Sequence, residues 1–92
     1  MKILREGKEI KLVEFGMVEV GTSRTVEVLV LNDTEARLRN MIFKCEGVEV
    51  LEAPVSLEPN DSGVVKLKWT PSLNIKKGLR AELKVEGLEI YG

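Results

Sequence analysis

The sequence predicts an all-β fold, and three observations support that prediction. Apolar and polar residues alternate with a period of two in several short runs, as in strands that bury one face and expose the other. Turn-forming residues separate these runs at intervals of roughly 8 to 12 residues. No segment sustains the 3.6-residue period of a helix. We therefore predict a single immunoglobulin-like β-sandwich of about seven short strands.

The whole chain, 1–92, is predicted to be one domain, since 92 residues suffice for one core but not for two. Residues 1–9 are predicted as an N-terminal arm or hairpin. In the hairpin, Ile3-Leu4 pairs back toward Ile10 across the turn Glu6-Gly7-Lys8. In the alternative, these residues form a frayed arm.

The next strands are identified by their apolar phases. The strand at 10–15 changes its apolar face between Leu12 and Val13, which indicates a bulge or a crossing between sheets. The strand at 25–31 carries a β-branched row on one phase, whereas the strand at 38–45 is apolar on both faces. A strand of the second kind is either buried on both sides or bears an exposed apolar patch.

The C-terminal third of the chain holds two more alternating runs. The run 79–85 is predicted as one strand between the turns Lys77-Gly78 and Glu86-Gly87. The run 88–90 is predicted as a separate strand after the second turn. Ahead of both, the sequence Pro59-Asn60-Asp61-Ser62-Gly63 is the strongest turn signal in the chain.

The predicted core has two large aromatic anchors, Phe15 and Trp69, whose burial is favourable by roughly 2–3 kcal/mol or more each. Asn32 lies on the inward phase after Val30, and its amide is expected to satisfy backbone groups of a loop. The predicted core residues are Phe15, Val26, Val28, Val30, Phe43, Val65, Leu67, Trp69, Leu83, Val85 and Ile90.

Composition argues against several kinds of partner. The chain has 14 basic and 15 acidic residues and a net charge of −1, so bulk charge does not favour a nucleic acid or an anionic membrane. No apolar run is long enough to cross a bilayer, and charged residues interrupt the N-terminal segment where a signal peptide is apolar. We therefore expect a cytoplasmic protein, or one carried on a virion. Abundant Lys and Glu without Gln is also a tendency of thermophile proteins.

The chain lacks the residues that most enzymes use. It has no His, the commonest general acid or base near neutral pH. The one cysteine, Cys45, stands beside Lys44 but has no His to activate it, and is predicted to be a buried structural residue. One Cys cannot supply a zinc site, and the acidic loops around Asp33 and Asp61 lack EF-hand spacing. We predict that the protein is not an enzyme and needs no cofactor or metal.

From Phe15 onward the order of short motifs resembles a known family. The motifs are, in chain order, Phe15-Gly16 followed by Val18, Val20 and Gly21, the run 25–32 ending in Asn32, the turn Leu57-Glu58-Pro59-Asn60-Asp61-Ser62, the strand end Trp69-Thr70-Pro71, and the last hairpin from Gly78-Leu79. They are similar to motifs of ASH-type domains, named for abnormal-spindle and hydin proteins. Major sperm protein domains share much of the pattern. The resemblance covers roughly residues 14 to 90.

This resemblance implies a non-catalytic protein–protein interaction or structural module, a component of a larger assembly, that binds a protein partner or associates with itself. It carries over no catalytic residue. One alternative is a virion accessory protein of a phage head or tail. Another is a small-ligand or carbohydrate-binding domain, for which Tyr91 is the one plausible exposed ring.

One set of apolar residues is left without a place in the predicted core. Leu29 and Leu31 lie on the phase opposite Val28 and Val30, so both rows cannot face one core. Either the N-terminal arm covers them, or they form an apolar patch exposed for a partner. The predicted partner surface consists of Leu29, Leu31, Met41, Ile42 and Tyr91.

Overall fold

The computed structural model describes residues 1–72 and 78–92, which form nine β-strands. In chain order the strands are β1 (Lys2–Arg5), β2 (Lys8–Glu9), β3 (Val13–Gly16), β4 (Arg24–Leu31), β5 (Arg37–Cys45), β6 (Glu49–Glu52), β7 (Ser62–Trp69), β8 (Leu79–Ala81) and β9 (Leu83–Ile90). The all-β prediction is confirmed, with nine strands where about seven were predicted. The described residues contain no helix that could cross a membrane.

The strands form one five-stranded sheet and two two-stranded ribbons, and all pairs are antiparallel. The five-stranded sheet has the order β2-β1-β4-β7-β6, and the ribbons are β3-β8 and β5-β9. Inward side chains from the five-stranded sheet and from both ribbons meet in one apolar cluster. The open sheets therefore build a β-sandwich, as predicted.

The first nine residues form a hairpin, which was one of the two predicted alternatives. Arg5 pairs with Lys8 across the two-residue loop Glu6-Gly7. Both loop residues have positive φ, 52° and 79°, as a type I′ turn requires. Beyond the hairpin, β1 pairs with β4 edge to edge. The N-terminal segment therefore lies beside β4 and does not lie over its outer face.

The apolar rows of β4 and β7 form the centre of the core. The rings of Phe15 and Trp69 meet edge to face, with centroids 6.1 Å apart and planes at 60°. Phe43 and Val85 are partly buried and pack against the same cluster. The predicted core residues that are fully buried are Phe15, Val26, Val28, Val30, Val65, Leu67, Trp69 and Leu83.

For the C-terminal strands, the predicted phase is correct over 79–85 and wrong after Gly87. The predicted single strand is interrupted at Glu82, which separates β8 from β9. β9 then continues through Gly87 without a turn. Because side chains alternate along an unbroken strand, Ile90 shares the outward phase of Lys84. Its exposed fraction is 46%, so Ile90 is not a core residue. The other predicted turn, Lys77-Gly78, lies partly outside the described residues.

A bulge in β5 lies opposite Gly87. The register of β5 against β9 shifts between Arg39 and Ile42, and Asn40 within the bulge has a φ of 51°. Asn tolerates this left-handed conformation better than most residues. The extra residue turns Met41 inward, where it is 7% exposed, and Ile42 outward, where it is 51% exposed.

Asn32 ties the end of β4 to the loop that crosses beside β5. The side chain is fully buried, and its amide nitrogen donates to the carbonyl oxygens of Ala36 (2.8 Å), Leu57 (3.3 Å) and Glu58 (3.1 Å). Its Oδ1 accepts from the backbone N–H of Thr34 (3.1 Å) and from the Thr34 hydroxyl (2.6 Å). Asn32 therefore has the structural role expected from its position.

Glu58 is held by two arginines of β5, and this contact gives a pH-dependent contribution to stability. Arg39 Nη2 lies 2.8 Å from Oε1, and Arg37 Nε lies 3.1 Å from Oε2. The hydrogen bond from Arg39, with the charges of both arginines, holds the pKa of the Glu58 carboxyl below its usual 4.5. A pKa depressed on folding contributes stability above the unfolded-state pKa, and that stability is lost as pH falls through the folded-state pKa.

We therefore expect Glu58→Gln to remove part of the acid destabilisation of the wild-type chain. Urea unfolding at a series of pH values from neutral to below the folded-state pKa measures it, with Glu35→Gln at another exposed position as the control. The Glu58→Gln curve of unfolding free energy against pH should fall less steeply on its acid side than the other two. Parallel curves would show that Glu58 contributes nothing through its ionisation.

Candidate protein-interaction surface

The outer face of the β5-β9 ribbon carries three exposed apolar side chains that lie next to one another. Ile42 is 51% exposed, Leu88 57% and Ile90 46%. Ile42 stands opposite Glu86, so Leu88 is its diagonal neighbour, and Ile90 follows Leu88 on the same phase. Diagonal neighbours in an antiparallel pair lie within reach of large side chains. We call these three residues the β5-β9 patch.

Charged side chains surround the β5-β9 patch. Arg39 stands opposite Leu88 and Arg37 opposite Ile90, and both arginines contact Glu58 on the far side of β5. Glu86 borders the patch on β9, opposite Ile42. An apolar centre with a charged, solvated rim is the usual anatomy of a protein–protein interface.

Tyr91 follows the end of β9 and contacts Glu89, on the phase opposite to Leu88 and Ile90. Its ring is 67% exposed, and its hydroxyl donates a hydrogen bond of 3.0 Å to Glu89 Oε2. This hydrogen bond, with the charge of the Glu89 carboxylate, raises the pKa of Tyr91. An exposed ring with a polar tip is a favoured interface residue.

Leu29 and Leu31 lie on a different sheet from the β5-β9 patch. In the five-stranded sheet, Leu29 is paired with Leu4 on one side and with Val64 on the other, so the three form a cross-strand row. Leu29 and Val64 are each 40% exposed, and Leu31 is half-buried. Because β1 lies beside β4, the N-terminal hairpin flanks this row and leaves its face open.

The residues of the predicted partner surface therefore lie on two different sheets, and one of them is buried. Ile42 and Tyr91 belong to the ribbon, Leu29 and Leu31 belong to the five-stranded sheet, and Met41 is buried because the β5 bulge turns it inward. Sequence reasoning missed Leu88 as a surface residue. The sequence does contain a signal for it. In a strand that continues through Gly87, Leu88 lies on the same outward face as the charged residue Lys84.

A cleft of about 860 Å³ opens between the ends of β5, β6 and β8. Lys44, Lys84, Glu46 and Glu82 line it, so charges of both signs are present, and Cys45 lies at its wall. Burial raises the pKa of the Cys45 thiol. Nucleophilic catalysis needs a thiol activated by a base, and the cleft holds an unactivated one.

Cys45 should accordingly react slowly while the chain is folded. The side chain is 7% exposed, and a thiol with a raised pKa has little of the reactive thiolate at neutral pH. We expect Ellman's reagent to modify Cys45 at least about a hundredfold more slowly in buffer than in concentrated urea. Equal rates in the two solvents would mean that the thiol is open to solvent in the native state.

Among residues 1–72 and 78–92, no group of three or more His, Cys, Asp or Glu side chains is placed to hold a metal ion. Asp33 forms an ion pair instead. The Asp33 carboxylate lies 2.6 Å from the terminal amine of Met1, and that hydrogen bond lowers the pKa of Asp33.

Comparison with family models decides the family of this chain. The model described as ASH, abnormal spindle-like microcephaly-associated, ASPM-SPD-2-Hydin, matches residues 3–85, nearly the whole sequence. The chain belongs to the ASH domain family. ASH domains are protein-interaction or structural modules, and the match confirms the resemblance of the motifs from Phe15 onward. No curated protein and no solved structure matches the chain.

The matched range ends within β9. It contains Ile42 and the row around Leu29, whereas Leu88, Ile90 and Tyr91 follow its last residue, Val85. The β5-β9 patch of this ASH domain thus combines one residue of the matched range with residues that follow it.

Proposed function

We propose that this ASH domain is a non-catalytic interaction module that docks a protein partner through the β5-β9 patch and acts within a larger assembly. The observation that supports the proposal is the exposure of Ile42, Leu88 and Ile90, at 51%, 57% and 46%, side by side on one face. The largest contiguous apolar patch on a soluble domain is often an interaction site. The charged rim of Arg37, Arg39 and Glu86 adds the polar border of an interface.

The cross-strand row of Leu4, Leu29 and Val64 is a weaker candidate for the same role. Next to it, Lys66 forms ion pairs with Glu27 (3.6 Å) and Glu52 (3.3 Å) on the same outer face. These pairs place charge beside the row, and interface centres are depleted of charge. Leu29 and Val64, each 40% exposed, are also less exposed than the three side chains of the β5-β9 patch.

Two matched substitutions test the proposal. Leu88→Lys and Leu29→Lys each place a charge at an exposed, outward leucine in the middle of a strand, and both are expected to change the unfolding free energy by about 0.5 kcal/mol or less. Tagged wild-type and variant chains would be cross-linked in lysate of the native host and the captured proteins identified by mass spectrometry. We expect a partner that wild type and Leu29→Lys retain and that Leu88→Lys loses, with an affinity loss of roughly thirtyfold.

The opposite pattern would contradict the proposal. If Leu29→Lys loses the partner and Leu88→Lys keeps it, the five-stranded sheet is the docking face. If both variants keep every protein that wild type captures, neither apolar surface binds.

A further inference from the structure

β9 is paired along one edge only. Its partner is β5, and among the described residues no strand pairs with its other edge. The strand spans eight residues, Leu83–Ile90, and contains no proline. Proteins usually shorten, bend or cover such an edge, because its free backbone groups can pair with another chain.

The hydrogen bonds of β5 show which backbone groups face the open edge. Leu38 donates to the Leu57 carbonyl (2.8 Å) and accepts from the Leu57 N–H (3.0 Å), so its main chain bonds away from β9. Its register partner Glu89 therefore bonds away from β5, since residues opposite each other in an antiparallel pair share one bonding class. By alternation, Gly87 and Val85 do the same. The N–H and C=O groups of these three residues point to the open edge.

The side chains along this edge define the chemistry of a strand that would fit it. Leu88 and Ile90 are apolar and face outward, and Glu86 on the same phase has no ion-pair partner among the described residues. Glu82 and Glu89 add negative charge at the two ends of the edge, against the single Lys84. An added strand is complementary if it is apolar opposite Leu88 and Ile90 and basic opposite Glu86.

We propose that the open edge of β9 takes up an extended segment of a protein partner by strand addition, with apolar side chains opposite Leu88 and Ile90 and a basic side chain opposite Glu86. Backbone hydrogen bonds to Val85, Gly87 and Glu89 hold the segment, and the outward side chains select it. The inference rests on the proposed function, because the added strand lies next to the β5-β9 patch and extends it.

A synthetic peptide tests strand addition on the full chain. The probe is acetyl-Val-Thr-Ile-Phe-Lys-Val-Glu-amide, which in antiparallel register places Val opposite Ile90, Ile opposite Leu88 and Lys opposite Glu86. Amide hydrogen exchange is followed by NMR with increasing peptide. We expect the N–H groups of Val85, Gly87 and Glu89 to exchange at least about tenfold more slowly. Those of Glu86 and Leu88, which bond to β5, should change little.

Charge reversal tests the side-chain part of the proposal. A second peptide carries Glu in place of Lys, and the variant Glu86→Lys inverts the matching site. Wild type should bind the Lys peptide at least about fivefold more tightly than the Glu peptide, and Glu86→Lys should reverse that order. An unchanged order in Glu86→Lys would overturn the assignment of the edge, as would protection that does not alternate or no protection at any peptide concentration.

Failure of this inference is distinguishable from failure of the proposed function. If Leu88→Lys loses the host partner but the peptide gives no alternating protection, the docking patch stands and strand addition is removed. If the peptide gives alternating protection while Leu88→Lys retains the host partner, the edge binds strands and the patch is not the docking face.

Discussion

Replacing Trp69 by alanine is expected to lower the free energy of unfolding by about 4 kcal/mol. The side chain is 5% exposed at the end of β7, and its ring meets Phe15 of β3 edge to face at 6.1 Å. Truncation removes this contact and leaves a cavity between two layers that the rest of the core cannot fill. Domains of this size are stabilised by only about 5–15 kcal/mol, so the variant should lie close to its unfolding threshold.

Urea unfolding followed by circular dichroism measures this effect, with Trp69→Phe as the matched control. The phenylalanine variant keeps an aromatic ring against Phe15 and should lose less than half as much stability as the alanine variant. A loss below about 1 kcal/mol in Trp69→Ala would mean that the ring does not anchor the two layers.

Replacing Asn32 by alanine is expected to lower the free energy of unfolding by about 3 kcal/mol. The substitution removes the 2.8 Å donor of the buried Ala36 carbonyl oxygen. The Leu57 carbonyl loses the weaker of its two donors and keeps the Leu38 N–H. It also removes the acceptor of the Thr34 hydroxyl. A buried polar group that loses its partner costs about 1–3 kcal/mol, more than the hydrogen bond itself contributes.

The control for Asn32→Ala is Glu35→Ala, an exposed position in the same loop. We expect it to change the unfolding free energy by about 0.5 kcal/mol or less. Equal effects of the two substitutions in urea unfolding would show that water replaces the Asn32 amide, and that the network does not hold the loop to the sandwich.

The strands with a continuous period of two were predictable from sequence. The row Val26, Val28 and Val30 and the row Val65, Leu67 and Trp69 lie in the core as their phases indicate. In each of these strands the inward residues are apolar and most outward residues are polar, so a shift of register by one residue would bury charge. The sequence did not predict which strands share a sheet. An alternation with a period of two shows which side chains face the core, but it does not show which strand is the hydrogen-bonded neighbour.

One error arose at a change of phase that no Gly or Pro marks, and the other at a Gly that does not form a turn. In β5 both Met41 and Ile42 were predicted on the partner surface, but the bulge at Asn40 turns Met41 inward and Ile42 outward. Asn adopts its positive φ at low cost. In β9, Gly87 resembles a turn residue but lies inside the strand, opposite the bulge. The candidate surface was therefore only partly predictable, since one unmarked residue decides which side chains face water.

The match to the ASH family accounts for the sandwich and for its class of function. It does not specify the surface that binds, since Leu88, Ile90 and Tyr91 follow the matched range. The binding face assigned to this chain depends on the side-chain geometry of the β5-β9 ribbon alone.

Hydroxyl-radical footprinting of this ASH domain, free and in complex with its captured partner, tests the central claim most directly. We expect Ile42, Leu88 and Ile90 to be oxidised more slowly in the complex than in the free chain, while Leu29 and Val64 are oxidised at equal rates in both. Protection confined to Leu29 and Val64, with Leu88 oxidised equally in the two states, would contradict the assignment of the β5-β9 patch as the docking face.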